Sequence, residues 1–135
     1  MFAPATEITL QPLKGMQVLL VEDEPNMAVS LTDVLEHSGA AVIAATTALE
    51  ALQVLAVQRP QILVCNLRLP DLEGTHLLEQ VRQAPDTALR QLPALAVTSS
   101  SREYSAAALK AGFDYFLAKP IEPAPLIEAI LQLIA

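Results

Sequence analysis

Five short apolar runs punctuate the chain: VLLV at 18–21, AVIAA at 41–45, ILVC at 62–65, ALAV at 94–97 and YFLA at 115–118. Each has the length of a strand, and none alternates between apolar and polar residues. Unbroken apolarity over so few residues suits a strand covered on both faces, as in a parallel sheet. Between the runs the period changes. Met27, Leu31, Val34 and Leu35 fall on one helical face, and Ala48, Leu52, Leu55 and Ala56 on another. Leu77, Leu78 and Val81 mark a third such face, and Ile127, Ile130, Leu131 and Ile134 a last. The helix breakers agree with this reading. Gly39 stands where the first helix must stop, Pro60 and Pro93 lead into strands, and Pro25, Pro123 and Pro125 lie near helix starts, where a missing N–H costs little. Five strands alternating with five helical segments predict βαβαβαβαβα. Right-handed crossovers wind that order into an open, doubly wound parallel sheet with helices on both faces.

In such α/β sheets ligands gather at the carboxyl ends of the strands, near the point where the strand order reverses. The residues that follow the runs are Glu22 and Asp23, Thr46, Asn66, Thr98 and Lys119. Ahead of the first run, MFAPATEITLQPLKG (1–15) has two prolines, a glycine and no clear period. It reads as a linker or arm before a domain spanning 16–135.

Composition narrows the class of function. A chain of 135 residues that is 53% apolar and 17% charged supplies one core and one domain. Its formal charge of -7 opposes binding to a phosphate backbone or an anionic membrane surface, so no direct nucleic-acid or membrane contact is expected. Apolar stretches are broken well short of a membrane span and the first residues do not resemble a secretion signal, so a cytoplasmic protein is expected. The single cysteine, Cys65, sits inside QILVC and reads as a small buried residue of a reducing compartment, with no disulfide within the chain. His37 and His76 lie at a helix end and a helix start, where surface or capping roles are expected.

The candidate chemistry begins with the adjacent carboxylates Glu22 and Asp23. Side by side at a strand tip they repel each other unless a cation or a lysine is near, and Lys119 at the tip of the fifth strand can neutralise them. Carboxylates, a backbone carbonyl and waters also suit a hard octahedral ion such as Mg²⁺. An acidic pair in a loop is as readily a solvated surface feature, and the pair alone does not decide.

The order and spacing of four segments is more specific. VLLVEDEP (18–25), LRLPDLEG (67–74), VTSS (97–100) and AKPIEP (118–123) together resemble the receiver domains of bacterial response regulators in two-component signalling. The flanking stretches LKGMQVLLVEDEP and AGFDYFLAKPIEPAPL are most similar to receivers attached to hybrid sensor kinases. The resemblance implies a flavodoxin-like (βα)5 fold with strand order 2-1-3-4-5. It implies Mg²⁺ held by Glu22, Asp23, position 66 and the backbone carbonyl of Arg68, a Thr98 hydroxyl that contacts the phosphoryl group, and a Lys119 that pairs with its charge. It also implies a cis Lys119–Pro120 bond and a switch role for the aromatic at Phe116, which lacks the hydroxyl a tyrosine would use. The partners implied are a histidine kinase or a downstream signalling protein, with homodimerisation through the surface of the fourth helix, fifth strand and fifth helix.

One position departs from the pattern. Counting back four residues from Pro70 places Asn66 where the family carries its phosphoacceptor aspartate. A carboxylate can attack phosphorus and become an acyl phosphate. A primary amide has a weakly nucleophilic oxygen and a delocalised nitrogen lone pair. Asn66 is therefore expected not to accept phosphate, and the pocket loses one negative charge: Glu22, Asp23 and Lys119 sum to -1 instead of -2. A weakened Mg²⁺ site follows. Three explanations stand open: a loop asparagine in a misaligned motif, a natural loss that leaves a pseudo-receiver, or an introduced Asp→Asn change in an ordinary receiver. The first expectation is a non-enzymatic module acting through protein contacts, and the alternative is a Mg²⁺-dependent phosphoaccepting receiver that carries an introduced Asn66. A flavin or nucleotide domain of similar winding is disfavoured, because no glycine-rich loop follows the first strand and two carboxylates stand there instead. On the last helix, Leu126, Ile127, Ile130 and Ile134 exceed a narrow stripe; core packing is the default reading, and a partner contact over part of that face is the alternative.

Overall fold

The computed structural model describes residues 11–99 and 102–135, with the side chains of residues 102–104 left aside. Residues 1–10 of the arm expected at 1–15, and the serines at 100 and 101, lie outside the described residues. Five strands appear where the apolar runs predict them: β1 (Gln17–Val21), β2 (Ala41–Ala45), β3 (Ile62–Asn66), β4 (Ala94–Ser99) and β5 (Tyr115–Lys119). They pair in parallel in the order β2-β1-β3-β4-β5. Five main helices follow them in turn: α1 (Pro25–His37), α2 (Ala48–Val57), α3 (Gly74–Arg82), α4 (Arg102–Ala111) and α5 (Pro123–Ile134). A single helical turn, Thr87–Arg90, is additional to the five predicted helical segments. Its start is encoded by Asp86, whose carboxylate accepts from the backbone N–H groups of Ala88 and Leu89.

The pleat of the central strands sorts their side chains onto two faces. Leu19, Val21, Leu63, Cys65, Ala94 and Ala96 pack with α2, α3 and α4. Val18, Leu20, Ile62, Val64, Leu95 and Val97 pack with α1 and α5. Leu13, within the segment read as a linker, is buried with the second face, and its N–H donates to the Ser38 carbonyl at 2.7 Å. Three expectations need correction. The β2 and β5 runs are not covered on both faces, since they are edge strands and only Ala45 among their ten residues is fully buried. On α2 the inner stripe is Ala48, Ala51 and Leu55, while Ala56 is exposed. Likewise Leu131 of α5 is exposed, and Leu126, Ala129 and Ile130 are its buried residues.

Two glycines meet local demands of the backbone. Gly39, at φ +100, closes α1 at the far end of the sheet from the carboxyl ends of the strands, in a left-handed conformation that only glycine adopts cheaply. Gly74 starts α3 hard against the end of β3, where a Cβ would stand 2.5 Å from the Asn66 carbonyl oxygen. The Lys119–Pro120 bond is cis, as expected.

Candidate functional site

Strand order reverses between β1 and β3, and the carboxyl ends of these strands carry Glu22, Asp23 and Asn66. Neighbouring β4 and β5 carry Thr98, next to last in β4, and Lys119, last in β5, so the topology gathers the residues singled out in the sequence on one edge of the sheet. Glu22 is the most enclosed of the charged groups, 1% exposed. Its Oε1 accepts from Lys119 Nζ at 3.2 Å, an ion pair that closes 97 residues of chain. Its Oε2 accepts from the Glu24 backbone N–H at 3.1 Å and from Asn66 Nδ2 at 3.1 Å. The same Asn66 amide donates to Asp23 Oδ1 at 3.2 Å, and Asn66 Oδ1 accepts from the Arg68 N–H. Lys119 therefore neutralises Glu22, while the amide of Asn66 ties both carboxylates to β3.

Thr98 is buried, and its hydroxyl donates to the Ser99 carbonyl at 3.3 Å, a bond within its own strand. Phe116 is half-buried against the α2–α4 face and stacks on Tyr115 with ring centroids 6.0 Å apart. Cys65 lies directly beneath Asn66 and is fully buried. Burial pushes its thiol far above the ordinary range, with the Glu22 carboxylate adding to the rise, so it stays an inert protonated thiol. His37 and His76 are exposed, and His37 Nδ1 stands 3.0 Å from the Asp33 carbonyl at the end of α1.

The donor set can be tested against a hard divalent cation. Mg²⁺ needs oxygen ligands turned toward it. At position 66 the group facing the two carboxylates is an NH₂ donor, and the amide oxygen is turned to the Arg68 N–H. Every buried side-chain polar atom among the described residues has a hydrogen-bond partner. Nor do the described residues contain a group of three or more His, Cys, Asp or Glu side chains placed to hold a metal ion. In this arrangement Asn66 does not fit as a metal ligand.

Sequence reasoning missed Asp71, which lies on the loop between β3 and α3. Its two oxygens accept from the backbone N–H groups of Ala48 (2.9 Å) and Leu49 (2.8 Å), so one loop carboxylate caps the first turn of a neighbouring helix. Those bonds, Leu49 first and Ala48 second, hold the Asp71 carboxyl below its ordinary value. Asp86 is lowered too, chiefly by the Arg59 guanidinium 2.7 Å away. A carboxyl with a depressed native pKa binds fewer protons folded than unfolded. Its contribution is complete above the unfolded value and is lost as pH falls through the native one. Urea denaturation between neutral and acid pH will therefore show a shallower acid decline for Asp71→Asn than for the parent chain, and an unchanged decline would rule this cap out as a source of acid sensitivity.

Comparison with known proteins agrees with the geometry. A family model described as the response regulator receiver domain matches residues 18–131. The chain is 38% identical over 124 residues to a 14.6 kDa protein from the sodA1 3′ region of Leptolyngbya boryana, covering 91% of this chain and 93% of that one. It spans only between 32% and 51% of the length of several other curated relatives. Among solved structures it is similar to a protein assigned as a response regulator in Chloroflexus aurantiacus, with a TM-score of 0.86 and 33% identity over 90% of this chain and 98% of that one. It is also similar to the receiver domain of a Pseudomonas aeruginosa sensor histidine kinase, with a TM-score of 0.82 and 27% identity over 89% of this chain and 98% of the other. That structure has a magnesium ion coordinated in its active-site cleft. No helix among the described residues is long and apolar enough to cross a membrane.

Proposed function

Because the chain belongs to the response-regulator receiver family, we propose that it is a two-component signalling module that does not take up phosphate and acts through protein contacts. The observation that carries this reading is the side chain at the end of β3. Asn66 sits in the acceptor position and offers an amide donor to Glu22 and Asp23 in place of a nucleophilic carboxylate. With one negative charge fewer in the pocket, Mg²⁺ binds more weakly than in a receiver with an aspartate there. The module is not an enzyme in its own right. Its partner is a histidine kinase or a downstream signalling protein, met in the cytoplasm. Exposed Leu109 on α4, Tyr115 on β5 and Leu131 on α5 supply an apolar face for that contact or for a second copy of the chain. Thr98 and Lys119 keep the places that would serve a phosphoryl group. Their retention, with Glu22 and Asp23, favours a second reading in which the Asp→Asn change was introduced into a phosphoaccepting receiver.

Intact-mass spectrometry after treatment with acetyl phosphate and Mg²⁺ tests this. The parent chain is expected to stay unmodified and Asn66→Asp to gain one phosphoryl group. A phosphorylated parent chain would overturn the reading.

A further inference from the structure

The mismatch between Asn66 and a metal site has a consequence for the folded state of the domain. Two carboxylates at the tip of one strand need positive charge or hydrogen-bond donors, and burying one of them raises that need. Here the need is met from within the chain. Lys119 Nζ reaches Glu22 Oε1, and Asn66 Nδ2 bridges Glu22 Oε2 and Asp23 Oδ1 with 3.1 and 3.2 Å contacts. The NH₂ group has two donor hydrogens and two carboxylate oxygens to meet, so its capacity is matched. The orientation of the amide is fixed by the same logic. Turning it over would set Oδ1 against two carboxylates and place the NH₂ group against the Arg68 N–H, losing three hydrogen bonds.

We propose that the Asn66 carboxamide takes the place of the divalent cation: it is a resident donor that ties β1 to β3 and makes the stability of the domain independent of Mg²⁺. This rests on the reading of a receiver that is not phosphorylated and says how such a site keeps its shape. Asn66 is a positioning residue here. It holds Glu22 and Asp23 through hydrogen bonds, and the metal-free arrangement is the working one. The surfaces that a partner meets are then the same whatever the divalent-ion concentration.

The test is denaturant unfolding of the parent chain, Asn66→Asp and Asn66→Ala, each with EDTA and with Mg²⁺, alongside the side-chain amide resonances of Asn66 in the parent. A cation present at about ten times its Kd multiplies the folding equilibrium constant about elevenfold. Asn66→Asp, with three clustered carboxylates, is expected to show a gain of that order, and Asn66→Ala a smaller one. The parent is expected to change less than about twofold under the same conditions, with its Asn66 NH₂ protons exchanging slowly and unmoved by Mg²⁺. A parent chain stabilised as much as Asn66→Asp, with its Asn66 amide signals shifting, would overturn the proposal, because the amide would then have turned its oxygen to the metal. If neither aspartate nor asparagine forms respond, the pocket has no cation for the amide to replace, and the proposal again fails. Intact mass after acetyl phosphate on the same samples separates the two ideas. A Mg²⁺ response without phosphate uptake removes only the proposal, while phosphate on the parent removes the reading beneath it.

Discussion

Lys119→Met will lower the stability of the protein by about 3 kcal/mol, measured by urea denaturation at neutral pH. The cost arises mainly in the partner left behind. Glu22 is 1% exposed and the Lys119 side chain 22%, so water reaches the pair only from the lysine side. Methionine keeps the aliphatic stem and the packing along β5 but removes the charge. Glu22 then retains the Glu24 N–H and the Asn66 amide as donors without a cation, a state that is expensive in a poorly solvated site. Those two donors set the expected loss at the lower end of the range for a broken buried pair. The companion variant decides the cause. Adding Glu22→Gln to Lys119→Met is expected to recover most of the loss, giving a coupling of about 2 kcal/mol in the double-mutant cycle. Additive losses would instead mean that Lys119 acts through packing and that its ion pair contributes little.

The five strands and four of the five main helices were legible because each rests on a local pattern: an apolar run, a 3.6-residue period, or a proline or glycine at a boundary; α4 (Arg102–Ala111) was expected only from the alternation of strands and helices. What the pattern could not supply was position in the sheet. AVIAA and ILVC read alike, yet β3 is buried along its whole length and β2 lies at an edge, a difference made by strand order. The inner face of α2 shows a finer failure. Ala48, Ala51 and Leu55 follow i, i+3, i+7, and Ala56 is one residue, about 100°, away from that stripe. In an alanine-rich helix several registers look equally apolar. The turn at Thr87–Arg90 was missed because four residues are too few for any period, although Asp86 marks its start. At the site, Glu22, Asp23, Asn66, Thr98 and Lys119 could be picked out from their places after the strand runs, and Lys119 was foreseen as a neutraliser. The bridging by the Asn66 amide could not be foreseen, since it depends on which atom of a carboxamide faces which oxygen. Asp71 and Arg82 were invisible for a related reason. Asp71 finds its backbone partners 22 and 23 residues away, and Arg82 reaches acceptors from Arg90 to Asp114, 8 to 32 residues along the chain, so nothing in a local window announces either.

Arg82, the last residue of α3, carries the second large effect. Its guanidinium donates to four acceptors from three separate segments. Nε bonds the Gly112 carbonyl (3.0 Å), Nη1 the carbonyls of Arg90 (2.9 Å) and Leu92 (2.7 Å), and Nη2 the Asp114 carboxylate (3.1 Å). Asp114 in turn accepts from the Ala94 N–H at the start of β4. The stem is held as firmly. Gly112 sits at φ +113, and a Cβ there would come within 2.9 Å of Arg82 Cγ, so backbone and side chain occupy adjoining space. One side chain thus fastens the end of α3 to the short turn, to the lead-in of β4 and to the α4–β5 corner. Arg82→Ala is expected to lose about 3 kcal/mol in urea denaturation, since part-buried carbonyls lose charge-assisted donors and water reaches them only partly. Arg82→Lys will recover less than half, because an ammonium cannot span acceptors spread around a planar fork. Amide hydrogen exchange gives the local readout. Protection at Phe113, whose N–H bonds the Ala108 carbonyl, and at Asp114, whose N–H bonds the Ala94 carbonyl, should fall further than protection in β1. That corner carries Leu109 and Tyr115 on either side of it. Loosening Arg82 therefore disturbs the face assigned to partner contact while leaving the Glu22–Lys119–Asn66 network assembled, and equal loss of protection in β1 would show that the effect is global unfolding alone.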